Sequence, residues 1–163
     1  RAGGRFLTEA DELRQAIGNA CLGYLASREH SARELMQKLA HKGYPAARIH
    51  EVLADFQQRG LQSDRRFAEA FVRARLARGY GRLRIEQELR QRGIDARAFV
   101  EPVAWAEAGE GLLERVHDRR YGDGVPQSPQ ERAARERYLL RRGFSRDDIG
   151  RLFRRLREGG TDD

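Results

Sequence analysis

The sequence has few of the residues that build disulfide frameworks, zinc sites or membrane spans. Its 163 residues include one cysteine, Cys21, which cannot form a disulfide within the chain. The four histidines are scattered rather than set at metal-ligand spacings. No apolar run approaches the roughly 20 residues of a membrane-spanning helix, and the N-terminal residues lack the apolar core of a signal peptide. We therefore expect a soluble cytoplasmic protein that binds no metal and no membrane.

Motifs that carry catalysis are also missing. The turn Gly79-Tyr80-Gly81 lacks the further Gly or Lys of a phosphate-binding loop, and no HExxH motif or nucleophile elbow occurs. Glu86 and Glu88 are two residues apart on a predicted helix and so face different directions. His30 lies near a helix end, where histidines are usually structural or solvated. The expectation is a protein that is not an enzyme and uses no cofactor.

Lysine is nearly absent, since Lys38 and Lys42 are the only two and 30 of the 32 basic residues are arginine. Residues 65–92 carry a net charge of +6 and residues 132–157 a net charge of +7, so the rest of the chain carries −6 of the total of +7. This polarised distribution predicts a surface that faces a polyanion. Two solvated helices, and an arginine bias that comes from genomic base composition, are the alternatives.

A repeat of 50 residues organises the chain. The segments QKLAHKGY, QELRQRGI and RYLLRRGF place glycines at positions 43, 93 and 143, each after an apolar stripe that ends in basic residues. Such a glycine is typical of a helix C-terminus, where the closing residue adopts the left-handed conformation. The pattern predicts three short helices in each repeat and no strand.

The predicted fold is therefore all-α, with three tandem repeats of three-helix bundles that form an elongated, curved array. The predicted segments are an N-terminal segment 1–12, repeats 13–60, 61–107 and 108–158, and a tail 159–163. Ser31 with Glu34 and Ser128 with Glu131 form predicted capping boxes. The third helix of the second repeat is expected to begin after Asp95 and to carry Val103 inward, with Pro102 as its weak point.

Nucleic-acid contact is the physical proposal that suits the arginines around the turn 79–81. The two glycines let the chain pass close to a partner, and Arg82 and Arg84 lie near a helix N-terminus, where the helix dipole favours a phosphate. Tyr80 either stacks on a base or packs on its own module. Trp105 lies off the apolar stripe of its helix, which favours packing between modules over a platform for a ligand. For Arg75, the alternative to a contact is an ion pair within the repeat to an acid such as Glu88.

The residues also resemble a known family. The central segment SDRRFAEAFVRARLARGYGRLRIEQELRQRGI, with REHSARELMQKL before it and RYLLRRGFSRDDIGRLFRRL after it, is similar to the RecX family of recombination regulators across roughly residues 13–157. The matching positions of the central motif are Asp64, Arg66, Phe67, Phe71, Arg75, Gly79, Tyr80, Gly81, Ile85, Glu88, Leu89, Gly93 and Ile94. The chain starts at Arg1 rather than a methionine, so the sequence leaves open whether an N-terminal segment is missing.

The resemblance implies a monomeric all-α protein that binds the groove of the RecA recombinase filament and also binds single- and double-stranded DNA. It implies a role in homologous recombination, DNA repair and the SOS response, in which RecA's ATP hydrolysis, strand exchange and co-protease activity are most often damped. The arginines expected to bind DNA or RecA are Arg66, Arg73, Arg75, Arg78, Arg82, Arg84, Arg90, Arg92, Arg141, Arg142, Arg151, Arg154 and Arg155.

Two other functions stay open from the residues alone. A sequence-independent nucleic-acid-binding helical protein without a recombinase partner would bind bare and RecA-coated DNA equally. A helical-repeat scaffold for an acidic protein would bind no DNA.

Overall fold

A computed structural model describes residues 6–160, and within them the backbone forms ten α-helices and no strand. In chain order the helices are α1 Glu9–Ser27, α2 Ala32–His41, α3 Ala46–Gln58, α4 Asp64–Ala77, α5 Arg82–Gln91, α6 Ala96–Phe99, α7 Pro102–Gly109, α8 Leu112–Tyr121, α9 Pro129–Arg142 and α10 Arg146–Gly159. The all-α prediction is therefore confirmed. None of these helices has the length and apolar character of a membrane span.

Helices α1, α2 and α3 enclose one apolar core, because each carries its apolar residues along one side. The buried members of this core are Ile17, Cys21, Leu35, Leu39, Ile49, Val52, Leu53 and Phe56. Tyr44, which follows the first repeated glycine, packs against the same core. Burial of each large apolar side chain contributes about 1.5–3 kcal/mol, so this core is the main source of stability for the first helix set.

Serine side chains begin several of the helices. The Ser31 hydroxyl accepts the backbone N–H of Glu34 at 3.1 Å, and the Glu34 carboxylate accepts the backbone N–H of Ser31 at 3.3 Å, which confirms the first capping box. Ser128 also accepts the N–H of Glu131, at 3.1 Å. The Glu131 carboxylate, however, accepts the N–H of Gln127 at 2.8 Å rather than that of Ser128. The second box therefore keeps its serine cap and shifts its reciprocal bond by one residue.

The three glycines of the repeat adopt one backbone conformation. Gly43, Gly93 and Gly143 have φ angles of +92°, +78° and +101°, and each lies just after the end of a helix. After the third of these helices, the N–H of Phe144 donates to the carbonyl of Leu139 at 3.2 Å, which closes the helix end. The repeat read from the sequence is thus a repeat of backbone geometry.

The third helix of the second set differs from the prediction. The chain forms a short helix, α6, leaves the helical conformation at Val100 with φ −119° and ψ 115°, and starts again at α7 with Pro102 in the first turn. Proline has no N–H and fits the first turn of a helix better than its interior, so the break occurs directly before it. As a result Val103 is 63% exposed, and the expectation that it packs inward is wrong.

Helices α8 and α9 share a buried polar contact that the apolar pattern does not predict. His117 is completely buried, and its Nε2 lies 3.1 Å from a terminal nitrogen of Arg135. Arg135 also donates to the carbonyl of Gly124 at 2.7 Å and to the carboxylate of Glu131 at 2.5 Å. One arginine of the basic stretch 132–157 therefore lies in the interior and adds nothing to the surface.

The backbone contacts group the chain into two compact units. Unit 1 comprises the residues up to Ala68 together with Arg92–Ile94, and unit 2 comprises Glu69–Gln91 and the residues from Asp95 onward. Unit 1 holds α1 to α3 and the start of α4, and unit 2 holds the rest of α4 and the helices after it. The three-repeat boundaries of the sequence stay a prediction.

Candidate functional site

The thirteen predicted arginines fall into three groups according to what their side chains contact. Those within 4 Å of a carboxylate are Arg66, Arg75, Arg82, Arg84, Arg92, Arg151 and Arg155. Arg142 binds backbone carbonyls. Those with no carboxylate within 4 Å among residues 6–160 are Arg73, Arg78, Arg90, Arg141 and Arg154. The last group forms no ion pair at this distance with the described residues, although the charge of Arg90 helps to lower the pKa of Asp95.

Two of the paired arginines stabilise unit 1. The Arg66 Nε donates to Glu29 at 3.0 Å, and the Arg92 Nε donates to Glu34 at 3.1 Å. Asp64 accepts the backbone N–H of Ala32 at 2.9 Å in the same region. These contacts hold the start of α4, and Arg92 directly before Gly93, against the segment that begins α2. Arg66 and Arg92 therefore have partners within the chain, which the spacing of the sequence did not indicate.

Arg75 and Arg84 share one acid in unit 2. The Arg75 Nε donates to Glu88 at 2.7 Å, and the Arg84 Nε lies 3.5 Å from the other oxygen of that carboxylate. Burial raises the pKa of Glu88, but the hydrogen bond from Arg75 and the charges of both arginines outweigh burial and leave the pKa below its ordinary value. The ion pair that the sequence offered as the alternative for Arg75 is present.

The turn Gly79-Tyr80-Gly81 makes its close approach to the chain's own turn at Gly143. The N–H of Gly81 donates to the carbonyl of Arg142 at 2.7 Å, and the N–H of Leu83 donates to the carbonyl of Gly143 at 3.1 Å. A Cβ atom on Gly81 would lie 2.5 Å from the backbone of Gly143. Glycine is needed at position 81 because a side chain there would separate two backbones that share hydrogen bonds.

This contact completes both helix ends beside the turn. The first N–H groups of a helix and its last carbonyls have no partner within the helix. The carbonyls of Arg142 and Gly143 satisfy the N-terminus of α5, and the Arg142 side chain donates to the carbonyls of Arg78 at 2.5 Å and Gly79 at 3.2 Å at the end of α4. The amides of Gly81 and Leu83 are thus already engaged, and they are not open to the phosphate that the sequence suggested for this helix start.

Tyr80 contacts arginines of its own chain. The guanidinium carbons of Arg84 and Arg142 lie 4.1 and 4.2 Å from the centroid of its ring. Cation–π contacts of this kind contribute about 0.5–2 kcal/mol each. Of the two roles considered for Tyr80, packing is the one that these contacts support.

An arginine-lined cavity of about 570 Å³ opens in unit 2 between the end of α4 and helices α8 and α9. Its arginines are Arg78, Arg115, Arg119, Arg120 and Arg142. Ala77, Leu112 and Val116 supply apolar surface, and Tyr138 supplies an aromatic ring. We refer to this feature as the arginine cavity.

Three of its arginines were not among the candidates from the sequence. Arg115, Arg119 and Arg120 lie on α8, between the basic stretches 65–92 and 132–157. The spacing of four between Arg115 and Arg119 places both on one face of a helix. That spacing was the signal that could have found Arg115 and Arg119, whereas net charge per segment could not, because α8 also carries acids.

Trp105 is buried, at 6% exposure, and the Arg82 guanidinium lies 5.2 Å from its ring centroid. It lines a second cavity of unit 2, of about 540 Å³, together with Leu76 of α4 and Phe144 of the third helix set. Its place between helix sets agrees with the packing role expected from the sequence.

His30 and Cys21 are both buried in unit 1. His30 Nδ1 lies 3.1 Å from the carbonyl of Arg28, and its Nε2 lies 3.1 Å from Nζ of Lys38. Burial lowers the pKa of His30 and raises the pKa of Cys21 to about 11. No group of three or more metal-ligating side chains occurs in the described part of the chain.

Comparisons with known proteins agree with this architecture. Residues 19–56 match the sequence pattern described as the first three-helix domain of RecX, and residues 63–98 match its second three-helix domain. A protein of Halorhodospira halophila named Regulatory protein RecX is 42% identical over 144 residues, which cover 88% of this chain and 89% of the relative. The protein of the same name from Pseudomonas entomophila is 38% identical and covers 84% of this chain and 89% of the relative.

Two solved structures have the same fold. The crystal structure of RecX from Lactobacillus salivarius superimposes with a TM-score of 0.68 at 24% identity and covers 89% of this chain and 97% of that one. A second crystal structure of a regulatory protein RecX gives a TM-score of 0.67 at 22% identity and covers 93% of this chain and 79% of that one.

The helices and the glycine turns define a small arginine-rich protein of tandem three-helix domains. Identity above 30% along most of its length, with relatives of one name, settles its family. The chain belongs to the RecX family of regulatory proteins.

Proposed function

We propose that this chain is a non-enzymatic regulator of the RecA recombinase that binds the RecA–DNA filament in its groove and also binds DNA. The observation that carries the proposal is the 38–42% identity to proteins named Regulatory protein RecX over most of the chain. The direction of regulation that we propose is negative, so that ATP hydrolysis, strand exchange and co-protease activity of RecA decrease. We further propose that the protein acts as a cytoplasmic monomer.

The distribution of unpaired arginines supports a polyanionic partner. Arg73, Arg78, Arg90, Arg141 and Arg154 have no carboxylate within 4 Å among residues 6–160, and all but Arg90 lie in or directly beside α4, α9 and α10. Guanidinium groups form bidentate bonds with phosphates, and each phosphate neutralised releases counterions. These five are the candidates for intermolecular contact, in preference to the seven that already bind acids.

The test measures RecA's DNA-dependent ATP hydrolysis with the purified protein added below the RecA concentration. We expect a decrease, because a regulator that acts on a filament affects many protomers at once. An unchanged rate at moderate salt would overturn the proposal.

A binding titration separates this function from general nucleic-acid binding, which the same unpaired arginines also favour. The proposal predicts tighter binding to RecA-coated DNA than to bare DNA at each of two salt concentrations. Equal affinity for both would establish the general nucleic-acid-binding protein instead.

A further inference from the structure

The arginine cavity differs from the other arginine-rich surfaces in its lack of acids. Among the described residues, fourteen arginines outside the cavity lie within 4 Å of a carboxylate. None of the five arginines of the cavity does, and no acidic residue lines it. Positive charge is therefore concentrated in a concave region without internal compensation, which raises the local concentration of anions.

Three of the five arginines are held in place by uncharged groups. Arg142 donates to the carbonyls of the α4 end, Arg115 donates to the carbonyl of Glu110 at 3.0 Å, and the guanidinium of Arg120 lies 4.3 Å from the ring centroid of Tyr138. These contacts orient the guanidinium groups without neutralising them. Binding of a ligand there costs less side-chain entropy of the protein than binding to freely moving arginines.

The remaining two, Arg78 and Arg119, are exposed and have no described side-chain partner. Arg78 directly follows α4 and Arg119 lies on α8, and both line the same cavity. Two guanidinium groups that line one cavity suit an anion that accepts several hydrogen bonds, such as a phosphate, which has more acceptor oxygens than a carboxylate.

The apolar part of the cavity lining further restricts the class of ligand that fits. Leu112 and Val116 form apolar surface beside the arginines, and Tyr138 with Arg120 presents a stacked aromatic group. A phosphate joined to a sugar and a base has a matching arrangement, since bases stack on aromatic and guanidinium planes whatever their identity. Inorganic phosphate would leave this apolar surface unused.

We propose that the arginine cavity binds a nucleotide of single-stranded DNA, with the phosphate at Arg78, Arg119 and Arg142 and the sugar and base against α8 and Tyr138. This inference rests on the proposed DNA binding and places one of its contacts at a defined site. The chemistry recognised is that of a phosphodiester, without base specificity.

The first test uses a fluorescent oligothymidine of roughly 20 nucleotides, long enough to exceed one binding site. The variant R78A/R119A removes two cavity arginines, and R137A/R157A is its matched control. Arg137 and Arg157 are exposed, have no described carboxylate partner and lie outside the cavity lining. Both variants lose two positive charges, so the long-range attraction to DNA decreases equally in both.

The cavity variant should bind the oligonucleotide about tenfold or more weakly than the control variant, because two charge-assisted hydrogen bonds are lost only there. Its log–log salt slope should fall by about 0.7, the value for the one phosphate that these arginines bind in single-stranded DNA. Equal affinities of the two variants would overturn the site and leave the proposed function standing. Failure of the wild-type protein to bind the oligonucleotide would overturn both the site and the DNA-binding part of the function.

A second measurement needs no variant. Modification of the wild-type protein with phenylglyoxal, read by mass spectrometry, should show Arg115 and Arg119 protected by the oligothymidine and Arg137 and Arg157 unprotected. Equal protection of all four would overturn the site. Poly-glutamate of equal charge should displace the oligonucleotide poorly, and displacement as effective as that by unlabelled oligothymidine would show an unspecific anion surface instead of a nucleotide site.

Discussion

Arg75 on α4 donates from Nε to the Glu88 carboxylate on α5 at a distance of 2.7 Å, and both side chains are only about one-fifth exposed, at 22% and 20%. The pair joins the two helices on either side of the turn 79–81. The Arg75 guanidinium also lies 4.5 Å from the ring centroid of Phe71. Arg75 therefore belongs to the framework that positions the turn, rather than to the arginines available for a partner.

Replacement of Arg75 by Ala should destabilise the protein by about 1–3 kcal/mol, because Glu88 would keep its partial burial and lose its main partner. Arg73→Ala is the matched control, since Arg73 is exposed on the same helix and has no described partner. The control should change the free energy of unfolding by about 0.5 kcal/mol or less. Urea denaturation measures both, and equal losses would contradict the framework role of Arg75.

The ion pair of Arg75 and Glu88 also predicts how the free energy of unfolding depends on pH. The pKa of Glu88 lies below its ordinary value of 4.5 in the folded protein, so the unfolded chain binds a proton more readily. The ionised carboxylate therefore contributes its full stabilisation above about pH 4.5, and the contribution is lost as the pH falls through the lower pKa of the folded state.

The difference in unfolding free energy between the wild type and Glu88→Gln should accordingly be large near neutral pH and should shrink in acid. Glu69→Gln, at an exposed position on α4, is the control for loss of one negative charge. A wild-type advantage over Glu88→Gln that stayed constant from neutral to acid pH would refute the linkage.

Three glycine substitutions separate backbone conformation from close approach. Gly81→Ala places a Cβ 2.5 Å from the Gly143 backbone and should cost about 2 kcal/mol or more. Gly43→Ala meets no atom within 4 Å but has a φ of +92°, and it should cost about 1–2 kcal/mol. Gly124→Ala meets neither obstacle and should be nearly neutral. Unfolding free energies in any other order would be inconsistent with the shared turn contact.

Cys21 should resist alkylation while the protein is folded. Burial raises the pKa of its thiol to about 11, so very little thiolate exists near neutral pH, and the side chain is inaccessible. Iodoacetamide should modify Cys21 only in concentrated urea, as measured by mass spectrometry. Rapid modification under native conditions would show that the α1–α3 core opens readily.

Most of the fold was predictable because it depends on local chemistry. Apolar spacing, serine caps and the glycines at 43, 93 and 143 each act within a few residues, and the structure agrees with them. The break before Pro102 was visible as a weak point, but its effect on Val103 depended on where the helix restarts.

The state of each arginine was harder to predict because it depends on distant partners. Arg84 donates to the carbonyl of Arg141 at 3.2 Å, and Arg155 pairs with Glu114, contacts that join positions far apart in the chain. The net charge of a segment counts these paired arginines in the same way as Arg73 and Arg154, which have no carboxylate partner among the described residues. The sequence could therefore locate the basic stretches but could not separate internal partners from free groups.

The hydrogen bonds of Gly81 and Leu83 have a kinetic consequence. Amides at the start of a helix ordinarily exchange their hydrogens quickly, since they lack partners within the helix. Here both are protected by the carbonyls of Arg142 and Gly143, although Gly81 directly precedes α5 and Leu83 lies in its first turn. The hydrogen-exchange rates of these two amides therefore measure how often the turn between α9 and α10 separates from the start of α5.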